Sequence, residues 1–370
     1  MSGAVAVPPA DPGATAALAP PGVGRDLANL DFMRALAVLF VVADHVLETA
    51  GAVLQRAFNP YDWYFGRIGV LVFFVHTSLV LMLSMDRSRI GGTGFFLSFY
   101  TRRAFRIYPL SVVCVLLVLL VDAPQVAWAS EGPPPYSAFT IGANLALVQN
   151  LVNAGLVLSP LWSLPLELQM YVVLPFIHRQ LTRTDPVKTA WLLWLAAVAV
   201  AIVQPLVPGL GRLTVARFGP CFLAGVIAYV LLRRRAPRWP AAAWAALLFA
   251  ATAGYFAVAR VSTTVHPAWL GWAFCLVIGL GIPAFRQFQS PWLRNASHSV
   301  AKYSYGVYLF HMLALWIGFG PTSPVPLGPT AGAVLTLVLL VVAPVLSFHL
   351  IEQPMIDVGT RLARRLVPQR

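Results

Sequence analysis

The sequence predicts an all-α membrane protein that crosses the bilayer about ten times. Of its 370 residues, 59% are hydrophobic and only 11% are charged, whereas soluble domains carry about a quarter charged residues. The hydrophobic residues form long runs, and about 20 apolar residues in a helix span the roughly 30 Å of a hydrocarbon layer. The basic residues lie in short clusters between these runs. Together these observations exclude an ordinary water-soluble fold.

Ten apolar runs qualify as predicted spans. Several contain proline, which membrane helices tolerate when neighbouring helices satisfy the freed carbonyl groups. The predicted spans are residues 34–53, 66–85, 107–122, 160–178, 189–207, 215–232, 239–259, 267–285, 303–320 and 330–352.

The distribution of Lys and Arg predicts the orientation, because cytoplasmic segments carry an excess of basic residues. With both termini inside, 21 of the 26 basic residues fall on inner segments and five on outer loops. We therefore expect a multi-pass protein of the bacterial inner membrane with both termini cytoplasmic. The same clustering indicates that the net charge of +13 serves membrane topology, with the lipid bilayer as partner and no nucleic acid.

The chain divides into three predicted parts. Residues 1–29 are rich in Ala, Pro and Gly and predict a disordered cytoplasmic tail. Residues 30–356 form the transmembrane domain, and residues 357–370 a basic cytoplasmic tail. Within the domain, the proline-rich loop 123–159 could form an outer lid or a partial re-entrant segment. Residues 93–106, with aromatics and three arginines, predict a short amphipathic helix on the cytoplasmic face.

Ionisable side chains inside the predicted spans are candidates for function, because each costs about 2.5–3.5 kcal/mol on insertion scales. The candidates inside the spans are Asp44, His45, Glu48, Glu167, His311, His349 and Glu352.

Arg34 and His45 are 11 residues apart, so their side chains share one face of a helix. The helix rises about 16 Å between them, which joins a cation at the cytoplasmic boundary to a buried imidazole. Glu167 is expected at a similar depth on another span, where it could orient His45 and stabilise its imidazolium form. The alternatives are an interfacial anchor for Arg34, a satisfied core histidine at position 45 and a helix-packing hydrogen bond for Glu167.

Two further groups of side chains have both functional and structural interpretations. Arg102 and Arg106 are spaced four residues apart at the start of a span, which suits phosphate binding or positive-inside anchoring. His311 shares a helix face with Ser304 and Tyr308. That polar stripe indicates either a site or a satisfied core histidine.

Several segments resemble, in order, the motifs of the acyltransferase-3 family of integral-membrane acyltransferases. The resemblance extends over about residues 30–356. The matching segments are Arg34-x10-His45, the run Arg102-Arg103-Ala-Phe-Arg106-Ile-Tyr-Pro109, the run Trp162-Ser163-Leu-Pro-Leu-Glu167-Leu-Gln169-Met-Tyr171, the run Ser304-Tyr305-Gly306-Val-Tyr308-Leu-Phe-His311, and Ile351-Glu352-Gln-Pro354.

The resemblance implies transfer of an acyl group from cytosolic acyl-CoA to a hydroxyl of a sugar, surface glycan or secondary metabolite. We expect His45 to be the general base, because the reference pKa of histidine is about 6.5, with Glu167 as its orienter. The predicted substrate-binding residues are Arg34, Arg102, Arg103, Arg106, Ser163, Tyr305 and His311. No metal or resident cofactor is called for, since acyl-CoA is a substrate.

One departure from the family pattern and two rival functions remain. The family usually reads Phe-Phe-x-Leu-Ser-Gly in the second span, whereas this chain has His76 and Ser78 at the last hydrophobic and glycine positions. A polytopic transporter or flippase would use buried polar residues as a substrate path. A membrane sensor with a vestigial site would form no acyl product.

Overall fold

The fold is all-α, as predicted. The computed structural model describes residues 28–54, 64–88, 90–234, 238–261 and 268–366. Within them the helices are Ala28–Val53 (α1), Phe65–Asp86 (α2), Gly92–Leu120 (α3), Ala138–Leu145 (α4), Leu164–Leu181 (α5), Pro186–Val203 (α6), Thr214–Leu232 (α7), Ala241–Val261 (α8), Ala268–Ala284 (α9), Pro291–Phe319 (α10), Pro329–Ser347 (α11) and Gln353–Leu366 (α12).

Each of the ten predicted spans falls on a helix of the structure. Eight helical segments in the described part of the chain are long and apolar enough to cross a membrane. The two remaining predicted spans correspond to α9, an apolar helix of 17 residues, and to the C-terminal half of the longer helix α10. The protein is therefore a polytopic helical membrane protein.

The helices that carry the candidate residues pack around one another. Helix α1 packs against α2 and α10, α2 packs against α5 and α7, and α3 contacts α10 and α12. Helices α6 and α9 pack against α7, and α8 packs against α9. The arrangement brings the motifs on α1, α2, α3, α5 and α10 to a common interior.

Glycine on α7 replaces the glycine missing from α2. Ser78 of α2 stands where the family pattern has glycine, and it is fully buried. A side chain on Gly225 of α7 would collide with the Val75 carbonyl oxygen and the Ser78 Cβ. The close approach of these two helices therefore depends on Gly225, which leaves room for the serine.

The described residues extend into both predicted tails. The predicted tail 1–29 ends inside α1: Asn29 is buried, its side-chain amide donates to the Arg286 carbonyl and its side-chain oxygen accepts from the Phe288 N–H. Residues 1–27 lie outside the described residues. At the other end, residues 357–366 belong to α12, which packs on α3 with Gly359 against Phe105. Residues 367–370 are also outside the described part.

The amphipathic segment 93–106 is not a separate surface helix. It forms the N-terminal half of α3, which continues through Pro109 into the predicted span. A proline removes only one N–H donor from the helix, and no other break separates the two halves. The arginines of this segment therefore lie on the same helix that continues into the predicted span.

The loop 123–159 folds back against the bundle. It contains α4, and the side chain of Asn144 fixes its end by donating to the Gly155 carbonyl and accepting from the Val157 N–H. A single turn of 3-10 helix, Ser159–Trp162, then leads into α5, with Leu158 and Leu161 fully buried. The start of α5, and with it Ser163 and Glu167, is thus set inside the protein.

Candidate active site

Helices α1 and α10 meet at two polar contacts that involve the expected residues. Near the start of α1, the Arg34 Nε donates to the Ser304 Oγ at 2.6 Å. Three turns further along α1, the His45 Nδ1 lies 2.9 Å from the His311 Nε2. The shared face predicted for Arg34 and His45 therefore lies against the polar stripe predicted on α10.

The two histidines form a stacked and partly enclosed pair. His311 has no exposed surface, and its Nδ1 lies 2.7 Å from the Tyr308 carbonyl oxygen. The ring centroids of His45 and His311 are 5.0 Å apart, and the Trp128 ring stacks on His45 with a centroid distance of 6.2 Å. His45 keeps 16% of its side chain exposed, and its Nε2 is 3.8 Å from the Glu48 Oε2. One nitrogen of His45 is thus bound to His311, and the other lies 3.8 Å from the Glu48 carboxyl oxygen, beyond hydrogen-bond distance.

A cleft extends from the arginine-rich end of the bundle towards this pair. It encloses about 780 Å³ of empty space, part of it open to the surroundings. Its polar lining consists of Arg34, His76, Thr77, Arg103, Arg106, Ser163, Glu167, Tyr171, Ser304, Tyr305 and Tyr308. The cleft ends at Tyr308, whose ring lies 6.0 Å from that of His311. The cleft therefore stops one helical turn short of the histidine pair.

The arginines of α3 divide between the cleft and the surface. Arg103 and Arg106 line the cleft, and the Arg106 Nη1 forms an ion pair of 2.9 Å with the buried Glu352 Oε1. Arg102 is not part of the lining: its Nε donates to the Ser98 carbonyl of its own helix, and its charge interacts with that of Arg364 on α12. The structure thus brings Arg34, Arg103 and Arg106 together and leaves Arg102 outside.

Glu167 does not pair with His45, contrary to the expectation from depth alone. Its Oε1 accepts hydrogen bonds from the Thr77 hydroxyl at 3.1 Å and the Tyr171 hydroxyl at 2.5 Å. The estimate from depth failed because α5 begins inside the bundle, which brings Glu167 close to the charges of Arg34 and Arg103. Glu167 belongs to the arginine end of the cleft. His311 occupies the position beside His45 that was expected for Glu167.

Ser163 and Tyr305 both line the cleft, and each hydroxyl also bonds to the protein. The Tyr308 hydroxyl donates to the Pro160 carbonyl at 2.6 Å. Because that hydroxyl has one proton, its contact of 2.7 Å with Ser163 must be donated by the serine. The Tyr305 hydroxyl donates to the Ile107 carbonyl at 2.9 Å. Ser163 therefore holds Tyr308 at the end of the cleft, and Tyr305 ties α10 to α3.

Six cleft or charge-pairing residues were not among the predicted site residues, and two of them, Ser304 and Tyr308, belong to the polar stripe predicted on α10. Glu352 appears in the sequence as a buried carboxylate next to the last motif, and Tyr171 ends the motif of α5, so both had a signal. Glu352 ends a π-helical turn, Phe348–Glu352, of a kind often found at functional sites. Thr77 and His76 show only as polar residues in an apolar span, and His76 is almost fully buried.

One group of side chains in the described part of the chain has the spacing of metal ligands. The ligand atoms of Asp44, His45 and Glu48 lie within 4.8 Å of one another. Asp44, however, already accepts hydrogen bonds from the backbone N–H groups of Gly66 and Phe65 at the N-terminus of α2. The absence of a metal in the reaction stays a prediction from the sequence.

Comparison with known proteins agrees with the geometry of the site. A family model described as an acyltransferase domain matches residues 27–349, which include the cleft and the histidine pair. The chain is 28% identical over 333 residues to the acyltransferase MdmB of Streptomyces mycarofaciens, with 81% of each chain covered. No solved structure matches the chain. The protein belongs to the acyltransferase-3 family and is a membrane acyltransferase.

Proposed function

We propose that the protein transfers an acetyl group from cytosolic acyl-CoA to a hydroxyl of a sugar, surface glycan or secondary metabolite. The observation that carries the proposal is the arrangement along the interface of α1 and α10. Arginines surround one end of the cleft, and the other end leads to a histidine with a free ring nitrogen. The arginine end suits an anionic, elongated donor, and the histidine end can accept a proton.

The arginine end would hold the donor. Arg103 makes no hydrogen bond within the described residues, and its guanidinium lies 5.9 Å above the Phe99 ring. Together with Arg34 and Arg106 it offers several N–H donors to phosphate oxygens, which guanidinium groups bind in bidentate geometry. The pantetheine arm would then run along the cleft towards Tyr308. Glu167 and Glu352 would balance the arginine charges when the donor is absent.

The histidine end would supply the base. The acceptor oxygen attacks the thioester carbonyl carbon while its proton passes to His45, a carbon–oxygen bond forms and the carbon–sulfur bond breaks. The CoA thiolate leaves and takes the proton from the His45 imidazolium, which gives the thiol and restores the neutral base. For the acyl carbon to reach the acceptor, Tyr308 must give way or the acyl group must pass beside it. No resident cofactor takes part.

The acceptor would enter from the end of α1 beyond His45, where Glu48 and Trp128 lie beside the histidine. Under the predicted topology this is the outer end of the site, and the arginines are at the cytoplasmic end. Donor and acceptor would therefore approach from opposite faces of the bacterial inner membrane. O-acetylation of a polysaccharide at the outer face is the simplest reaction with this geometry.

The test is acyl transfer by the purified protein in detergent with radiolabelled acetyl-CoA. Candidate acceptors are found by mass spectrometry of surface glycans and secreted metabolites from a deletion strain, where the product lacks one acyl mass increment. A labelled ester formed by the wild type and lost in His45→Ala supports the proposal. A transporter or flippase would form no covalent product in detergent. The absence of any labelled ester would therefore reject the proposal.

A further inference from the structure

We propose that His311 is a positioning residue that selects the tautomer of His45, so that the lone pair of His45 resides on Nε2. The inference rests on the proposed function only for the role of His45 as base. The tautomer itself follows from hydrogen-bond geometry in the resting protein.

The carbonyl groups beside His311 determine which of its ring nitrogens carries the proton. Its Nδ1 is 2.7 Å from the Tyr308 carbonyl oxygen and 3.2 Å from the Val307 carbonyl oxygen. Carbonyl oxygens only accept hydrogen bonds, so Nδ1 must carry the proton. A lone pair on Nδ1 would instead face two carbonyl oxygens.

The position of the proton on His311 in turn determines the position of the proton on His45. A neutral imidazole with a proton on Nδ1 has an acceptor at Nε2, and the His311 Nε2 lies 2.9 Å from the His45 Nδ1. His45 must therefore donate from Nδ1. A second proton on His311 would place a cation in a site without exposed surface, where an isolated charge is strongly disfavoured.

The reactive nitrogen of His45 is therefore Nε2. With its proton on Nδ1, neutral His45 has its lone pair on Nε2, the ring nitrogen that is not bonded to His311. The nearest carboxyl oxygen is the Glu48 Oε2 at 3.8 Å, which is beyond hydrogen-bond distance. The Nε2 is thus free to take a proton from an acceptor hydroxyl. The imidazolium so formed would keep its hydrogen bond to His311.

This arrangement gives His311 the role that Asp or Glu plays beside many catalytic histidines, with one difference. A carboxylate both orients the ring and stabilises its positive charge. The neutral His311 orients the ring through a hydrogen bond and carries no charge that would stabilise the imidazolium. The backbone carbonyls of Val307 and Tyr308, through His311, thereby determine which nitrogen of His45 is basic.

The experiment is nitrogen NMR of the protein labelled with ¹⁵N-histidine, recorded without donor or acceptor. The His45 and His311 signals are assigned by loss in His45→Ala and in His311→Leu. We expect both rings to show a protonated Nδ1 and an unprotonated Nε2. A protonated Nε2 on His45 in the wild-type protein would overturn the inference, whether or not any variant folds.

The variants separate positioning from packing. His311→Leu removes the acceptor, so His45 should populate both tautomers and kcat should fall about 10- to 100-fold, as for other residues that orient a catalytic ligand. The KM for the donor should not change. In His311→Gln, the side-chain oxygen can accept from the His45 Nδ1, and both the tautomer and most of kcat should be restored. Loss of kcat in both variants, with the His45 spectrum unchanged, would contradict a positioning role.

His298→Leu is the matched control. This histidine is on the same helix, but 70% of its side chain is exposed and it pairs with Asp31. The variant should leave the His45 signals and kcat as in the wild type. If the protein proves to form no ester at all, the proposed function fails while the tautomer remains measurable. If ester forms but the tautomer differs, only the role of His311 fails.

Discussion

Arg106 and Glu352, 246 positions apart in the sequence, form an ion pair whose carboxylate is 1% exposed. The pair joins the arginine end of the cleft on α3 to the π-helical turn before α12. Removal of one partner from a buried pair typically costs about 3–5 kcal/mol, because the other charge is left uncompensated.

We therefore expect Arg106→Ala and Glu352→Ala each to lower the melting temperature in detergent markedly. The double variant should be less destabilised than the sum of the two, as a double-mutant cycle measures. Arg102→Ala, which removes a charge outside the cleft, is the control and should change the melting temperature little. Strictly additive losses would show that the two side chains are not coupled.

Donor binding should depend on Arg103 and Arg34 and not on Arg102. Arg103→Ala should raise the dissociation constant for acetyl-CoA about 10- to 100-fold, as expected from hydrogen bonds to a charged group worth about 1.5–3 kcal/mol. Arg34→Lys should bind acetyl-CoA more tightly than Arg34→Ala but more weakly than the wild type, because lysine lacks the planar fork of N–H donors. Titration calorimetry measures both. Equal weakening by Arg102→Ala would place the phosphates on the other face of α3.

His45 and Glu167 should affect different steps. His45→Ala should lower acyl transfer about 10²- to 10⁴-fold, the usual contribution of a general base, without changing donor affinity. Glu167→Gln should tighten donor binding about fivefold, since it removes about 1 kcal/mol of repulsion between the carboxylate and the donor phosphates. Binding and rate measurements on both variants decide the matter. A weaker donor affinity in His45→Ala would link the histidine to the donor site.

Chelation should leave the enzyme active. The proposed reaction uses His45 as a base without a metal, so protein dialysed against EDTA should keep its full rate of acyl transfer. Metal analysis of the same sample provides the control. Suppose instead that activity is lost on chelation and that a divalent cation restores it in the wild type but not in Glu48→Gln. That result would assign the group of Asp44, His45 and Glu48 to metal binding.

The topology prediction is that residue 140 is outside and both termini are inside. It follows from the 21 of 26 basic residues on the inner segments. Single cysteines at position 140 and near the C-terminus, labelled with an impermeant reagent in whole cells, test it. Labelling near the C-terminus but not at residue 140 would reverse the orientation and with it the direction from which the donor enters.

The sequence by itself determined the helical membrane fold, the positions of the ten apolar segments and the common face of Arg34 and His45. These features are local: hydropathy over about 20 residues sets a span, and the 3.6-residue period of the helix sets a face. The family followed in the same way, because its motifs are short and contiguous.

Only the tertiary structure decided which side chains meet. His311 is 266 residues from His45, and no local pattern specifies the tilt and rotation that bring α10 against α1. The same holds for Glu167, whose partners depend on how far the 3-10 turn Ser159–Trp162 carries the start of α5 into the bundle. Arg102 and Arg103 are neighbours in the sequence, yet the packing of α3 between α10 and α12 turns Arg103 alone of the two into the cleft. Contacts between distant helices result from the packing of the whole bundle, and hydropathy and periodicity do not encode that packing.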